Sequence, residues 1–356
     1  MEKHIINLQL FAADTTTHTN VTTDTRTGDY NPTEANSLSA EMKTYYDREL
    51  IFEASAQLVH DQFGQKRPIP KGNGKTIEFR KFSPLPKTLT ALTEGVTPVG
   101  KRLDVTSQTA TVSQYGDYVE YSDMLELTAL DNTVLEATKL LGMQAGATLD
   151  TVTRNVLIAG TNVSYCPKVA NGSETAVTSR SAMDLTSVLN VKAVQKAVAK
   201  LRGQNAPTFN GKYVAIIHPY VAYQLMRDPE WIDAHKYASP ENLFEGEIGE
   251  IGGVRFVQTT EAKIWSDSTC PAISGGGYHS VYATLFIGQN AYGTTEIEGG
   301  GLETIIKQKG SAGTADALNQ RATVGWKATK TAALLVQSYL VRVESLCPDF
   351  DSVAAN

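Results

Sequence analysis

Apolar residues recur with different periods along this chain, and the changes of period divide it into regions. Leu38, Met42, Tyr45, Phe52, Ala56, Val59 and Phe63 repeat at spacings of three, four and seven. That spacing predicts an amphipathic helix with Ser39 as N-cap and Gly64 as stop. From Gly64 to Tyr121 the helical period disappears for 58 residues. The stretch reads as two extended limbs. In Lys75–Phe82, alternation sets Ile77 and Phe79 on one face and Glu78 and Arg80 on the other. The return limb, Leu103–Tyr121, is rich in Thr, Val and Tyr. Between them lies a tip marked by Pro84, Pro86, Gly95, Pro98 and Gly100. An isolated two-stranded hairpin is marginal in water, so a ribbon of this length must rest on a surface.

After Ser122-Asp123 the helical period returns. Its longest run, Asp131–Ala159, carries Val134, Ala137, Leu141, Ala145, Leu149, Val152 and Val156. As a helix this spine would span roughly 43 Å. Gly142 and Gly146 within it each cost about 1 kcal/mol relative to alanine, which points to a bend or a close backbone crossing. Leu185–Arg202 reads as a further helix, with Leu189, Val191, Ala193, Val194, Ala197 and Leu201 as its apolar set. From Gly211 the elements shorten: a strand Tyr213–Ile217, a helix around Tyr220–Arg227, and strands Val254–Gln258 and Val281–Ile287, with Gly-rich loops at 275–277 and 299–301. Thr331–Glu344 alternates as one long strand. Residues 12–37 are dominated by Thr, Asp and Asn, a composition of an arm rather than a core.

With 356 residues the chain exceeds the size at which single cores stop growing, so two lobes are expected. The net charge of −6 is mild, but its distribution is uneven. Residues 1–62 hold ten acids against four bases, whereas residues 63–102 hold nine bases (Lys66, Arg67, Lys71, Lys75, Arg80, Lys81, Lys87, Lys101, Arg102) against two acids, Glu78 and Glu94. Arm and ribbon are complementary, which suits contact within or between subunits. No run approaches the roughly 20 apolar residues of a membrane helix. The start, Met1 to Ala13, superficially suggests a signal peptide, but Asn7 and Gln9 interrupt its short apolar stretch.

Candidate chemistry is sparse. Gly72-Asn-Gly-Lys-Thr76 resembles part of a phosphate loop, but Ile69 stands where the first glycine is needed, and a strand follows instead of a helix. The histidines at 4, 18, 60, 218, 235 and 279 have no metal-ligand spacing. No Gly-x-Ser-x-Gly elbow occurs. His218-Pro219-Tyr220 reads as a strand end turning into a helix with proline in its first turn. The three cysteines, Cys166, Cys270 and Cys347, each precede a proline. An odd number offers no disulfide framework, and proline favours an extended loop edge at the preceding residue. No catalytic, cofactor or metal site is expected.

Several segments act together as a signature: Leu92-Thr-Glu-Gly-Val-Thr-Pro98, Gln114-Tyr-Gly116 running into Tyr121-Ser-Asp123, Ile217-His-Pro219, Gly246-Glu-Ile-Gly249, Gly253-Val-Arg-Phe256, Val324-Gly-Trp-Lys327 and the opening Asn7–Ala12. With them the chain resembles the major capsid proteins of tailed bacteriophages and prophages, which share the Hong Kong 97 fold. The chain departs at Asp316-Ala-Leu318, where such relatives tend to have Asp-Pro-Leu. The resemblance implies an α+β capsid fold with an N-terminal arm and helix (1–62), an extended loop (63–121), a peripheral domain with the spine helix (122–210), an axial domain (211–325) and a return strand (326–356). It also implies a function: copies join as hexamers and pentamers in an icosahedral head around double-stranded DNA. The ribbon of one subunit would cross the next through Lys66, Arg67, Lys71, Lys75, Arg80, Lys81, Lys87, Glu94, Lys101 and Arg102. Further implied partners are a portal, possibly scaffold or decoration proteins, and packaged DNA held by weak non-specific contact, with no membrane. The implied place is the virion, after assembly in the host cytoplasm. Some relatives weld subunits covalently, but no residue here matches a crosslinking motif. The rival readings are an encapsulin-like compartment shell, a hydrolase lidded by the ribbon, and a tail or decoration protein.

Overall fold

The computed structural model describes residues 46, 48–54, 58–82, 85–92, 94–97, 100–128, 133–170, 172–235, 249–311, 316 and 318–356. The N-terminal arm, the start of its helix and the Gly246–Ile248 part of the signature lie outside them. The described residues fall into two compact units, each drawn from three stretches of chain. The larger takes the described residues of Ala56–Tyr115, Gly146–Gly301 and Thr329–Asn356, and the smaller those of 46–54, Gly116–Ala145 and Leu302–Ala328.

The larger unit is built on a seven-stranded mixed sheet in the order Val163–Tyr165, Leu340–Leu346, Val281–Ile287, Tyr213–Ile217, Val254–Gln258, Glu250–Ile251, with Ile264–Trp265 also paired to Val281–Ile287. Every residue of Tyr213–Ile217 and Val281–Ile287 is buried. Their apolar runs, interrupted only by the buried Thr284, are those of strands covered on both faces. On one face Tyr213, Ala215, Ile217, Tyr282 and Phe286 pack with Val194 and Leu201 of helix Val191–Gly203 and with Val221 and Leu225 of helix Pro219–Met226. On the other face Ile216, Leu285, Ile287 and Leu340 meet Leu157, near the end of the helix Thr133–Ile158.

Two sequence expectations change in this unit. The helix read from Leu185 begins at Val191, where the Asn190 side chain accepts from the Ala193 amide at 2.8 Å. Before it, Asp184 accepts from both the amide and the hydroxyl of Thr186. Short polar side chains that bond nearby backbone compete with helix, although the apolar spacing runs on through Leu185 and Leu189. The long strand read at Thr331–Glu344 is two strands, Arg321–Leu334 and Leu340–Leu346, with a 3₁₀ turn Gln337–Tyr339 between them. The amides of Leu335 and Val336 both bond the Ala291 carbonyl, which turns the chain out of the first strand. Alternation continues across that turn, so periodicity alone hides the break.

In the smaller unit, residues 48–54 are helical with Leu50 and Ala54 buried. Gly142 of the long helix sits against them: a Cβ there would lie 2.9 Å from the Leu50 carbonyl oxygen. This is the close crossing that glycine in the spine implied. The first half of Arg321–Leu334 pairs antiparallel with Glu303–Lys307 and also with the strand that continues through Gly116. Gly116 would place a Cβ 2.6 Å from the Trp326 carbonyl oxygen, so only glycine permits this approach. Trp326 Nε1 donates to Gln144 Oε1 at 3.2 Å, and Gln144 Nε2 donates to Asp117 Oδ2 at 2.7 Å, tying the Val324–Lys327 signature to the helix.

The second half of the long helix holds what an apolar stripe cannot show. Asp150, Thr153 and Arg154 are buried, while the predicted Val152 and Val156 are only half-buried. Asp150 accepts from His60 through the backbone amide at 2.7 Å and pairs with His60 Nδ1 at 2.6 Å. A buried carboxylate with two such partners is satisfied rather than costly. Tyr292 donates its hydroxyl to the His60 carbonyl, so the stretch leading into the ribbon is fixed from two sides.

Candidate assembly surface

The ribbon leaves this anchored stretch through Gln65–Lys66, which pairs parallel with Gly293 and Thr294. A turn at Lys71–Lys75 follows, with Gly72 and Gly74 at positive φ (89° and 81°), and leads into a strand, not a helix. Its geometry is that of a hairpin entry and offers no helix N-terminus to a phosphate. Thr76–Phe82 then pairs antiparallel with Val105–Thr111, from Thr76↔Thr111 to Phe82↔Val105. The alternation holds: Phe79 is buried against Ala110 and Ala333, with Ile77 beside it, while Glu78 and Arg80 face solvent. The return limb is shorter than its sequence suggested. Val112 closes the hairpin by donating to the Lys75 carbonyl, and from Gly116 the chain belongs to the smaller unit. The root of the ribbon therefore rests on its own chain, so tightly that a Cβ at Gly293 would meet the Phe79 ring at 2.8 Å.

The predicted contact residues take different places along this hairpin. At the root, Lys66 lies 3.8 Å from Asp61, which also binds Lys330 at 2.9 Å. One acid of residues 1–62 thus meets the basic ribbon within a single chain. Arg67 lies over the Phe79 ring and Lys81 over the Tyr339 ring. Arg67, Arg80 and Lys81 line a cavity of about 190 Å³ together with Ser107, Gln108 and Asn290. Arg80 bonds Glu78 at 3.1 Å and holds that carboxyl below the usual carboxylate range. Lys71, Lys75, Lys87 and Glu94 are exposed. Lys101 is not a free contact: its ammonium donates to the Pro86 carbonyl at 2.9 Å and to Thr88 Oγ1 at 2.6 Å, which clips the two legs of the tip together. Arg102 is exposed, 4.0 Å from Asp104.

Charge led the sequence reading, and it missed the tip's apolar residues. Leu89 is 89% exposed, Leu92 75% and Val96 63%, with Phe82, Leu85 and Leu103 also exposed around them. Scattered exposed apolar residues are ordinary, but six exposed large apolar residues within 82–103 make this stretch the candidate surface for a neighbour. The sequence sets apolar residues at 85, 89, 92 and 96 among prolines, but nothing local distinguishes them from core residues.

Burial pushes the Cys166 thiol up to about 12 and His218 down to about 4. His218 Nδ1 accepts from the Tyr220 amide at 3.2 Å and so caps the helix that Pro219 opens, at the strand end the sequence indicated. Cys166 and Cys347 each follow the last residue of a strand and precede a proline. Among the described residues, no group of three or more His, Cys, Asp or Glu is placed to hold a metal ion.

Residues 105–339 match the family described as phage capsid protein. No curated protein matches the sequence. Among solved structures, the chain is similar to the capsid of cyanophage P-SCSP1u, at 15% identity and a TM-score of 0.58 over 79% of this chain and 86% of that one. It is similar to the capsid of Ralstonia phage GP4 at 14% identity and a TM-score of 0.58, over 80% and 87% of the two chains. The mature capsid of bacteriophage PhiM1 matches at 12% identity and a TM-score of 0.55, over 80% and 86%. At these identities the likeness is one of fold, and the fold is the α+β fold of Hong Kong 97-type phage capsids. The family match favours the phage reading over the compartment shell. The chain belongs to the phage capsid protein family and is a major capsid protein, a structural subunit of a viral shell.

Proposed function

We propose that copies of this chain close, as hexamers and pentamers, into an icosahedral head around double-stranded DNA, each laying its hairpin tip on a neighbour. The exposed apolar row at Leu85, Leu89, Leu92, Val96 and Leu103 carries this reading. Burying side chains of this type is worth about 1.5–3 kcal/mol each, and obligate interfaces of about 2,000 Å² or more gather many such contributions. Lys87, Glu94 and Arg102 around the row set orientation and register more than affinity. Lys101 serves by shaping the tip. Lys66, Arg67, Lys71, Lys75, Arg80 and Lys81 form the basic root against which acidic residues of an arm are attracted.

In this reading residues 1–62 act as arm and helix, 63–121 as extended loop, 122–210 as peripheral domain, 211–325 as axial domain and 326–356 as return strand and C-terminus. With a net charge of −6 and no polybasic arm, the chain neutralises few phosphates, so DNA contact is weak and filling is driven from outside through a portal. Scaffold or decoration proteins complete the partners. The role is non-enzymatic, and the particle forms in the host cytoplasm before becoming the virion. Deleting residues 85–101 tests the reading: a soluble, folded chain that forms no closed shells by negative-stain microscopy is expected, and normal shells would overturn it.

A further inference from the structure

Another concentration of positive charge in the larger unit belongs to different elements. Helix Val191–Gly203 carries Lys192, Lys196, Lys200 and Arg202 and no acidic residue. Its apolar side, with Val191, Val194, Ala197, Val198 and Leu201, is buried, and Lys192 and Lys196 are exposed on the other side. Between this helix and the strand Val163–Tyr165 runs a cleft of about 300 Å³, whose lining includes Ser164, Tyr165, Glu174, Asn190, Lys192 and Lys196. Its one carboxylate is engaged, since Glu174 binds Lys192 at 2.8 Å. Among the described residues no carboxylate pairs with Lys196 or Lys200. Lys200 donates instead to the Val163 carbonyl and to Ser164 Oγ, each at 3.4 Å. Burial, and then the charge of Lys196, draws its pKa down. Like charges one helical turn apart are unfavourable, and a carboxylate set between them removes that cost.

The opposite wall is a sheet edge. Among the described residues, Val163–Tyr165 pairs only with Leu340–Leu346. The Asn162 carbonyl accepts from Arg342, and the Cys166 amide donates to Glu344, both at 3.0 Å. In such a parallel ladder the amide and carbonyl of Tyr165, between them, point outward. The cleft therefore combines the unpaired ammonium of Lys196, with Lys200 held behind its wall through Ser164, and an outward-facing piece of extended backbone.

We propose that this cleft holds an acidic, extended segment of a second copy of the chain, drawn from residues 12–41. The inference rests on the reading that copies assemble. That segment contains Asp14, Asp24, Asp29, Glu34 and Glu41 against Arg26 alone. Its run Asn20–Thr27 is rich in threonine, a β-branched composition that suits pairing with a strand edge. A narrow cleft with a carboxylate at its wall fits one peptide better than the phosphates of a duplex.

The test uses the full chain. Copies labelled with ¹⁵N are mixed with unlabelled copies, assembled, and treated with a carbodiimide, which joins an amine to a touching carboxylate with loss of water. Mass spectrometry of the digest is expected to show mixed-isotope links from Lys196 or Lys200 to Asp24, Asp29 or Glu34, unchanged by prior nuclease treatment. Lys196→Glu removes the links at that position, while the link between Lys192 and Glu174 persists and reports an intact fold. Normal shells without these links, links only within one copy, or links that vanish with the DNA overturn this inference alone. Failure to form shells overturns the assembly reading and this inference with it.

Discussion

The root and the tip of one hairpin differ in what surrounds them. At the root, Phe79 is buried against Ala110 and Ala333, and all seven residues of Thr76–Phe82 are paired across the ladder. At the tip, a little further along the chain, Leu89 and Leu92 are largely exposed. The same apolar chemistry serves the chain's own stability in one place and awaits a neighbour in the other. Substitutions in the two places are expected to separate folding from assembly.

The largest expected effect is on assembly. Replacing Leu89 and Leu92 together by aspartate leaves thermal unfolding of the free chain unchanged and abolishes shells in sedimentation, because both side chains are exposed before assembly. At the root the opposite holds: Phe79→Ala destabilises the free chain by about 3–5 kcal/mol in denaturant unfolding, the usual range for a buried Phe. A third comparison concerns the unit that carries the root. The folded-state pKa of His218, about 4, lies below its ordinary value because burial disfavours the charged form. Its contribution is therefore complete above the unfolded pKa near 6.5 and is lost as pH falls from there towards 4, about 3 kcal/mol in all. His218→Asn keeps a capping acceptor and removes the titration, so urea unfolding at a series of pH values is expected to lose that acid slope. The smallest effect sharpens the tip itself. Lys101→Met removes two exposed hydrogen bonds, leaves unfolding almost unchanged, and slows shell formation measured by light scattering, because the legs of the tip lose their clip.

What was legible in the sequence follows the same division. Strands buried on both faces, Tyr213–Ile217 and Val281–Ile287, announce themselves as apolar runs, and the alternation of Ile77 to Arg80 is a local property of one strand. The crossing at Gly142 was legible because glycine inside a helix costs stability that only a close neighbour offsets. Three features were not. Asp150 and Arg154 look like solvent-facing helix residues until His60 and Glu261, distant in sequence, arrive to pair with them. The break at Leu335 lies in a hydrogen bond to Ala291 and leaves no mark in the apolar pattern. The contact surface was read from charge because charge clusters stand out in a sequence, whereas Leu89 and Leu92 count as candidate core until the fold is seen to offer them none.

The division between root and tip is tested most directly by amide hydrogen exchange on the free chain and on assembled shells. Protection of residues 76–82 and 105–111 in both states, with residues 85–103 slowing only in the shell, is the expected result. A tip already protected in the free chain, or one that exchanges as fast in the shell as outside it, would contradict the account.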